Sequence, residues 1–455
     1  MVMNAVVSRF AEHSPVTLMA RLVLQKALEP EWLDDLFEQE SQTQYTRELL
    51  FSTTVELMSL VAVGMRPSLH AAVKSCKDLP VSIQALYDKV RRTEPGTVQA
   101  LVQASAQRLR SVLECMRPQS DVLVKGWRVK VVDGSHLPAT EKRLKPLRGL
   151  RVGALPAQSL VIYDPTLDMV LDIIPSEDAH SQERALSEAL LERAQAGDLM
   201  IADRNFCTRR LLAGWHEHEC KFIVREHGST PAPTALTEMR YIGRVDSGKV
   251  HEQRVSIAGN DGQPLSLRRI ELHLDQATEE GDTIIGVLTN LPRALMPAQE
   301  VAQLYRRRWS IEHMFQRLES VLHSEIASLG HPRAALLAFG VAILAYNVLA
   351  ILQTAVRCAQ DLDNSDIELS PYFFAMEIKA NYGGMMVAIS LRTWRTYDKC
   401  SAQQIARLLL EIAAYVDPQA FRSHARGPKK PKPKGRVSTS TARSHVATAR
   451  LLAKL

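Results

Sequence analysis

Apolar and polar positions divide the chain into stretches of different period. Over residues 17–118 apolar residues recur at mixed three- and four-residue spacings, most clearly in TRELLFSTTVELMSLVAVGM. That is the spacing of helices that bury one face. Thr46 and Glu48 suit an N-terminal turn. Pro67, Pro80 and Pro95-Gly96 punctuate short helices, of about ten to fifteen residues each.

After Pro118 the period shortens. WRVKVVDGS alternates and predicts a strand ending at Asp133-Gly134. QSLVIYDPTLDMVLDIIP reads as a hairpin turning at Asp164-Pro165, and HSQERALSEALLERAQAGD as an amphipathic helix stopped near Gly197. DLMIADRN is a short apolar strand ending at Asp203, followed by a helix over about 207–219 and the strand KFIVRE. Strand-strand-strand-helix-strand-helix-strand makes an α/β sheet with mixed pairing. The period of two persists through YIGRVDSGKVHEQRVSIAG, LSLRRIELHL and DTIIGVLTNLP, which predicts an all-β insertion over about 221–292. Beyond Pro297 the pattern is strongly helical.

A length of 455 residues exceeds one simple core. The expected division is a helical region over 1–120 and an α/β region over 121–400. A C-terminal helix over 401–421 and a basic, disordered tail over 422–455 would follow. Residues 334–356, AALLAFGVAILAYNVLAILQTAV, carry no charge and are long enough to span a bilayer. Asn347 and Gln353 interrupt the run, and no aromatic belt flanks it. A helix apolar all round also suits the interior of a large protein.

Charge changes the picture at two places. The formal net charge is +6. Ten Lys/Arg and no Asp or Glu lie between Arg422 and Leu455, so residues 1–421 sum to 6 − 10 = −4. The tail, rich in Pro, Lys and Ser/Thr, is either a solubilising extension or a phosphate-backbone contact. Lys89, Arg91, Arg92, Arg108 and Arg110 could give the helical region a DNA-facing side or simply a solvated one. The six cysteines form no CxxC pair and no secretory signal is visible, which fits a reducing cytoplasm.

Candidate chemistry centres on three carboxylates. Asp133 and Asp203 each end a short apolar strand, where reactive groups gather in α/β sheets. A turn-forming role is the plainer reading of either one alone. The third is Glu312, in YRRRWSIEHMFQRLES. Leu304, Ile311, Phe315, Leu318 and Leu322 form one helical stripe, with Arg308, Glu312 and Glu319 beside it and Tyr305 at its edge. Arg308 and Glu312 make at least an i,i+4 ion pair, and the same arginine offers a fork to phosphate. Cys207, His216, His218 and Cys220 are a weaker metal set, with spacings unlike a zinc finger. Asp164, Asp168 and Asp172 read as turn and surface residues.

The spacing of Tyr305, Arg308 and Glu312, together with VVDGS and then IADRN in that order, resembles the DDE transposases of bacterial insertion sequences, in the group named after insertion sequence four. The resemblance covers nearly the whole chain. It implies a ribonuclease H-like core in which Asp133, Asp203 and Glu312 are catalytic and bind two Mg²⁺ or Mn²⁺ ions. Such a pair of ions, about 3.5–4 Å apart, suits an in-line displacement at phosphorus, and carboxylate oxygens suit these hard cations. It further implies double-stranded DNA partners, namely terminal inverted repeats and target, and a homodimer that pairs two ends. Tyr305 and Arg308 would contact phosphate, with Arg317, Arg91 and Arg92 as further DNA-binding candidates. The sequence departs from the pattern at Glu319, where the group has lysine, and the late insertion strand carries no tryptophan. A nuclease that cuts without joining, and a DNA-binding protein without catalysis, are the alternative readings. The resemblance also turns residues 334–356 into a buried helix packed on the catalytic sheet.

Overall fold

The computed structural model describes residues 4–44, 48–75, 79–117, 123–137, 144–145, 153–228, 231–278, 281–322, 326, 329–424 and 445–453. Seven helices come first: α1 (Ala5–His13), α2 (Pro15–Ala27), α3 (Pro30–Glu40), α4 (Phe51–Ala62), α5 (Leu69–Ser75), α6 (Ile83–Arg92) and α7 (Pro95–Met116). Proline opens α2, α3 and α7, where a missing N–H costs nothing. The helix expected from Thr46 starts at Phe51; Thr46 and Cys76 lie outside the described residues. At 22 residues, α7 is longer than the expected short helices.

The sheet follows. Its strands are β1 (Arg128–His136), β3 (Gln158–Asp164) and β4 (Met169–Ser176), with a short β2 (Gly153–Leu155) outside it. Next come α8 (Ser187–Leu191), β5 (Asp198–Ala202), α9 (Arg209–Glu217) and β6 (Lys221–Arg225). Then come β7 (Thr234–Ala235), β8 (Arg240–Val245), β9 (Gly248–Ala258), β10 (Pro264–Leu274) and β11 (Ile284–Thr289). The strand order is β4-β3-β1-β5-β6-β11-β10-β9-β7, with β8 paired to β9. β4, β3 and β1 are antiparallel, while β1, β5 and β6 run parallel. Three antiparallel strands followed by two parallel ones are consistent with a ribonuclease H-like core.

Two local expectations need correction. β1 does not end at Asp133 but runs on to His136, with Asp133 opposite Val161 of β3. Asp133 is therefore a strand residue and not a turn former. The helix expected over 180–197 is a 3₁₀ turn at Glu183–Leu186 continued by the five residues of α8. The strands of the expected insertion are present, and they continue the central sheet: β11 pairs antiparallel with β6, and β6 itself is a parallel core strand. Period-two patterning reports strands but not their partners.

Helices close the chain: α10 (Ala298–Tyr305), α11 (Trp309–Ser320), α12 (Pro332–Ala359), α13 (Pro371–Ala388), α14 (Leu391–Trp394) and α15 (Ala402–Ala413). A 3₁₀ turn at Arg306–Arg308 separates α10 from α11. The apolar run is α12. It is long and apolar enough to cross a membrane, yet its most apolar stretch is wholly buried in protein. It packs on α7, α4, α2 and β4. Gly340 permits the approach to α7, since a Cβ there would stand 2.6 Å from Val98 Cγ1. Asn347, wholly buried, explains the polar interruption. It accepts from Val170 N–H at 2.9 Å and donates to Val170 C=O at 2.8 Å, satisfying the edge of β4. Val7, Leu101, Val131, Leu344 and Leu409 belong to one continuous core, so the N-terminal helices share their interior with the sheet.

Residues 425–444 of the expected disordered tail lie outside the described residues. Residues 445–452 correct it: β12 (His445–Ala447) pairs parallel with β2, and α16 (Thr448–Leu452) follows. Thr448 is buried and its hydroxyl donates to Leu155 C=O, and Arg450 Nε reaches Asp178 at 2.7 Å. Ala447 is buried and Leu451 and Leu452 are half-buried, whereas the sequence before this segment is rich in Lys and Pro.

Candidate active site

Two carboxylates are placed by the sheet. On one face of the parallel pair β1 and β5, Val129, Val131, Leu199 and Ile201 enter the main core; on the other, Val132, Met200 and Ala202 enter a second core. Val131 aligns with Ile201, and Val132 with Ala202. One step further along stand Asp133 and Asp203, by alternation on the main-core face. Adjacent strands lie about 4.8 Å apart, so the two aspartates are neighbours. β5 has ended by then, and Asp203 caps the 3₁₀ turn Arg204–Phe206 by accepting the Arg204 N–H.

The helical carboxylate comes from α11, which packs against β1. Ile311, Met314 and Leu318 are the buried seam, and Phe315 is only partly covered. This leaves Glu312 about half exposed on the first turn, its side chain 47% accessible. Arg308, at 10%, is buried between strand and helix. It donates from Nη2 to Glu312 Oε1 at 2.7 Å and from Nη1 to Asp133 Oδ2 at 3.3 Å. Tyr305, also buried, lies within electrostatic reach of Arg308, Asp203 and Arg225. Burial pushes its hydroxyl pKa up to about 12. Arg308 thus links Asp133 to Glu312, while Asp203 and Tyr305 lie within electrostatic reach of it.

The electrostatics are unbalanced. Burial raises the Asp133 carboxyl to about 7, with Asp203 and Glu183 adding to the rise. Arg308 and the Gly134 N–H, 2.9 Å from Oδ1, oppose it without cancelling it. The single guanidinium of Arg308 does not offset the burial of this carboxylate. The donor set is all carboxylate oxygen, which fits a hard divalent cation. Among the described residues, however, no three carboxylate, imidazole or thiolate groups are gathered closely enough to hold one ion. The Arg308 guanidinium stands between Asp133 and Glu312, and exposed Glu312 has room to move.

A fourth carboxylate escaped the sequence reading. Glu183, in the turn before α8, lies directly against Gly134; a Cβ on that glycine would overlap its carboxylate. Asn205 Nδ2 donates to Glu183 Oε2 at 3.0 Å. Gly134 and Asn205 therefore have physical roles in VVDGS and IADRN. The one makes room for Glu183 and the other holds it. No spacing signal marks Glu183, which looks like one of several charges on a helix.

Other candidates lie elsewhere. Arg317 is not part of the cluster: it pairs with Asp168 at 2.9 Å and approaches the Tyr346 hydroxyl at 3.4 Å. It does not replace the missing lysine at position 319, where Glu319 is exposed. Arg91 and Arg92 end α6, exposed and ion-paired with Asp88. Asp164 does form a turn, accepting from Thr166 and Leu167 N–H, but it is buried. Asp172, expected at the surface, is buried against Gln99, Gln103 and Arg193. Cys207 and Cys220 are buried thiols raised to about 11, and His218 bonds the Gly214 carbonyl, so this set gathers no metal site.

Comparison with known proteins gives the cluster a context. Residues 126–348 match the family model described as Transposase DDE domain. The chain is 28% identical over 250 residues to the transposase for insertion sequence element IS421 of Escherichia coli, covering 46% of this chain and 62% of that protein. InsL of insertion sequence element IS186A of Escherichia coli (strain K12), named a transposase, matches to the same extent. Protein y4zB of Sinorhizobium fredii (strain NBRC 101917 / NGR234), also named a transposase, is 26% identical over 198 residues, covering 42% of this chain and 52% of the relative. The chain thus spans less than two thirds of each relative's length. Residues 126–348 thus carry a match to the Transposase DDE domain, and the chain is similar to transposases of bacterial insertion sequences.

Proposed function

We propose that the protein is a cut-and-paste DNA transposase of the insertion sequence four group. It would cleave the ends of its element and join the freed 3′-OH to target DNA by phosphoryl transfer, working as a homodimer on paired terminal inverted repeats in the bacterial cytoplasm. The observation that supports this reading is the buried Arg308 that links Asp133 to Glu312, with Asp203 within its electrostatic reach.

Asp133, Asp203 and Glu312 are the residues that would hold two Mg²⁺ or Mn²⁺ ions. These ions, when bound, polarise the attacking oxygen and neutralise charge on the leaving one. Arg308, released from Asp133 and Glu312, turns its planar fork to a phosphate oxygen of the cleaved strand. Tyr305, protonated because it is buried, donates from its hydroxyl toward the same backbone. Arg306, Arg307 and Trp309 are exposed at the start of α11. They supply backbone contact beside the reacting phosphate. Arg91, Arg92 and the helical region at 1–120 take sequence-independent contacts further out.

Strand transfer tests the reading. A duplex carrying the element's terminal repeat, labelled at its free 3′-OH end, should become joined to plasmid DNA in Mg²⁺ or Mn²⁺. Cutting without joining would leave a nuclease, and footprinting without cutting a DNA-binding protein.

A further inference from the structure

Glu312 projects from a helix whose apolar seam is not directional. Ile311, Met314 and Leu318 would remain buried through a small rotation or slide of α11, because hydrophobic contact depends on area and not on angle. Arg317, in the last turn, is tied differently. Its Nη1 donates to Asp168 Oδ2 at 2.9 Å, and the Tyr346 hydroxyl lies 3.4 Å away. The hydroxyls of Tyr163 and Tyr346, both almost fully buried, donate to the other oxygen, Asp168 Oδ1. One carboxylate thus joins α11, the turn between β3 and β4, and the middle of α12.

Asp168 lies in that turn. Its φ is 52°, in the left-handed region, which aspartate adopts in turns. Charge-assisted hydrogen bonds fix direction as well as distance. We propose that Arg317 is a positioning residue: through Asp168 and Tyr346 it fixes the rotation and register of α11, and so the place of the Glu312 carboxylate relative to Asp133 and Asp203. This rests on the proposed phosphoryl transfer. It replaces the expectation that Arg317 contacts DNA.

The test uses the full-length protein with Arg317→Met, which keeps the apolar stem, Arg317→Lys and Tyr346→Phe, all assayed well below their melting temperatures. Amide hydrogen exchange across residues 309–320 needs neither DNA nor metal, and should speed up in Arg317→Met. Single-turnover cleavage of a terminal-repeat duplex should slow by roughly 10- to 100-fold, the scale of a catalytic group misplaced by about 1 Å. DNA affinity should stay within about twofold and its salt dependence unchanged, since no phosphate contact is lost. Arg317→Lys should recover part of the rate, and Tyr346→Phe should show a smaller loss of the same kind. Weaker DNA binding with a salt slope reduced by about one would make Arg317 a phosphate contact and overturn the proposal. A lowered melting temperature with unchanged exchange and cleavage would make the network structural only, and would also overturn it. A wild-type protein that does not cleave defeats the proposed function itself, an outcome distinct from a wild type that cleaves and an Arg317→Met variant that cleaves equally well.

Discussion

Arg308 Nη1 stands 3.3 Å from Asp133 Oδ2, joining a helical arginine to a strand carboxylate 175 residues away. The pair is unequal. Arg308 stays charged, because the carboxylates and Tyr305 around it outweigh its burial. The Asp133 carboxyl remains raised in spite of the arginine, because burial dominates its environment.

That imbalance predicts a pH dependence in metal-free protein. The Asp133 carboxyl rises from its ordinary 3.8 to about 7 on folding, so the native state binds this proton more tightly than the unfolded chain. Its contribution to stability is complete below pH 3.8 and is lost as pH rises through about 7. Asp133→Asn, which cannot ionise, should therefore melt a few degrees above wild type at pH 8.5, with a much smaller difference at pH 5. Thermal melts in chelator at the two pH values check this.

Gly134→Ala forces its new methyl onto the Glu183 carboxylate. The expected loss of stability is at most about 1 kcal/mol, because the methyl meets the end of a flexible, partly exposed side chain that can swing aside. Combining it with Glu183→Ala should recover most of that loss, because the two residues share one space. Urea melts of the two single variants and the double variant give the coupling; strict additivity would mean that the contact is unimportant.

Asn347→Ala should destabilise more. It leaves the buried N–H and C=O of Val170 without their side-chain partner. At about 1–3 kcal/mol for each of the two stranded groups, the loss should be about 2–6 kcal/mol. Urea unfolding reads it directly, and a loss below about 0.5 kcal/mol would mean that β4 finds another partner, as an ordinary surface change does.

Much of this arrangement was legible in the chain. The two aspartates follow short alternating or apolar strands, and Glu312 borders an apolar helical stripe, so each carries a local signal. Glu183 carries none, because its importance comes from standing over Gly134 and against Asn205, a pairing made by the fold. Arg317 reads from the sequence as a DNA-binding candidate for the same reason: its partners Asp168 and Tyr346 are 149 and 29 residues away. The strands of 234–289 were visible by period, while their continuation of the sheet depends on β6 pairing with β11. The terminal strand β12 was hidden beside a lysine-rich stretch, and its partner β2 lies almost three hundred residues earlier.

The central claim is that Asp133, Asp203 and Glu312 act together in cutting DNA. The most direct measurement is single-turnover cleavage of a terminal-repeat duplex in Mn²⁺ by wild type, Asp133→Ala, Asp203→Ala and Glu312→Ala, with DNA binding measured alongside. Each substitution should lower the rate by about 10³-fold or more, since each removes several kcal/mol of charge stabilisation, and DNA affinity should hold to within a few-fold. Cleavage at the wild-type rate by Glu312→Ala would contradict the account.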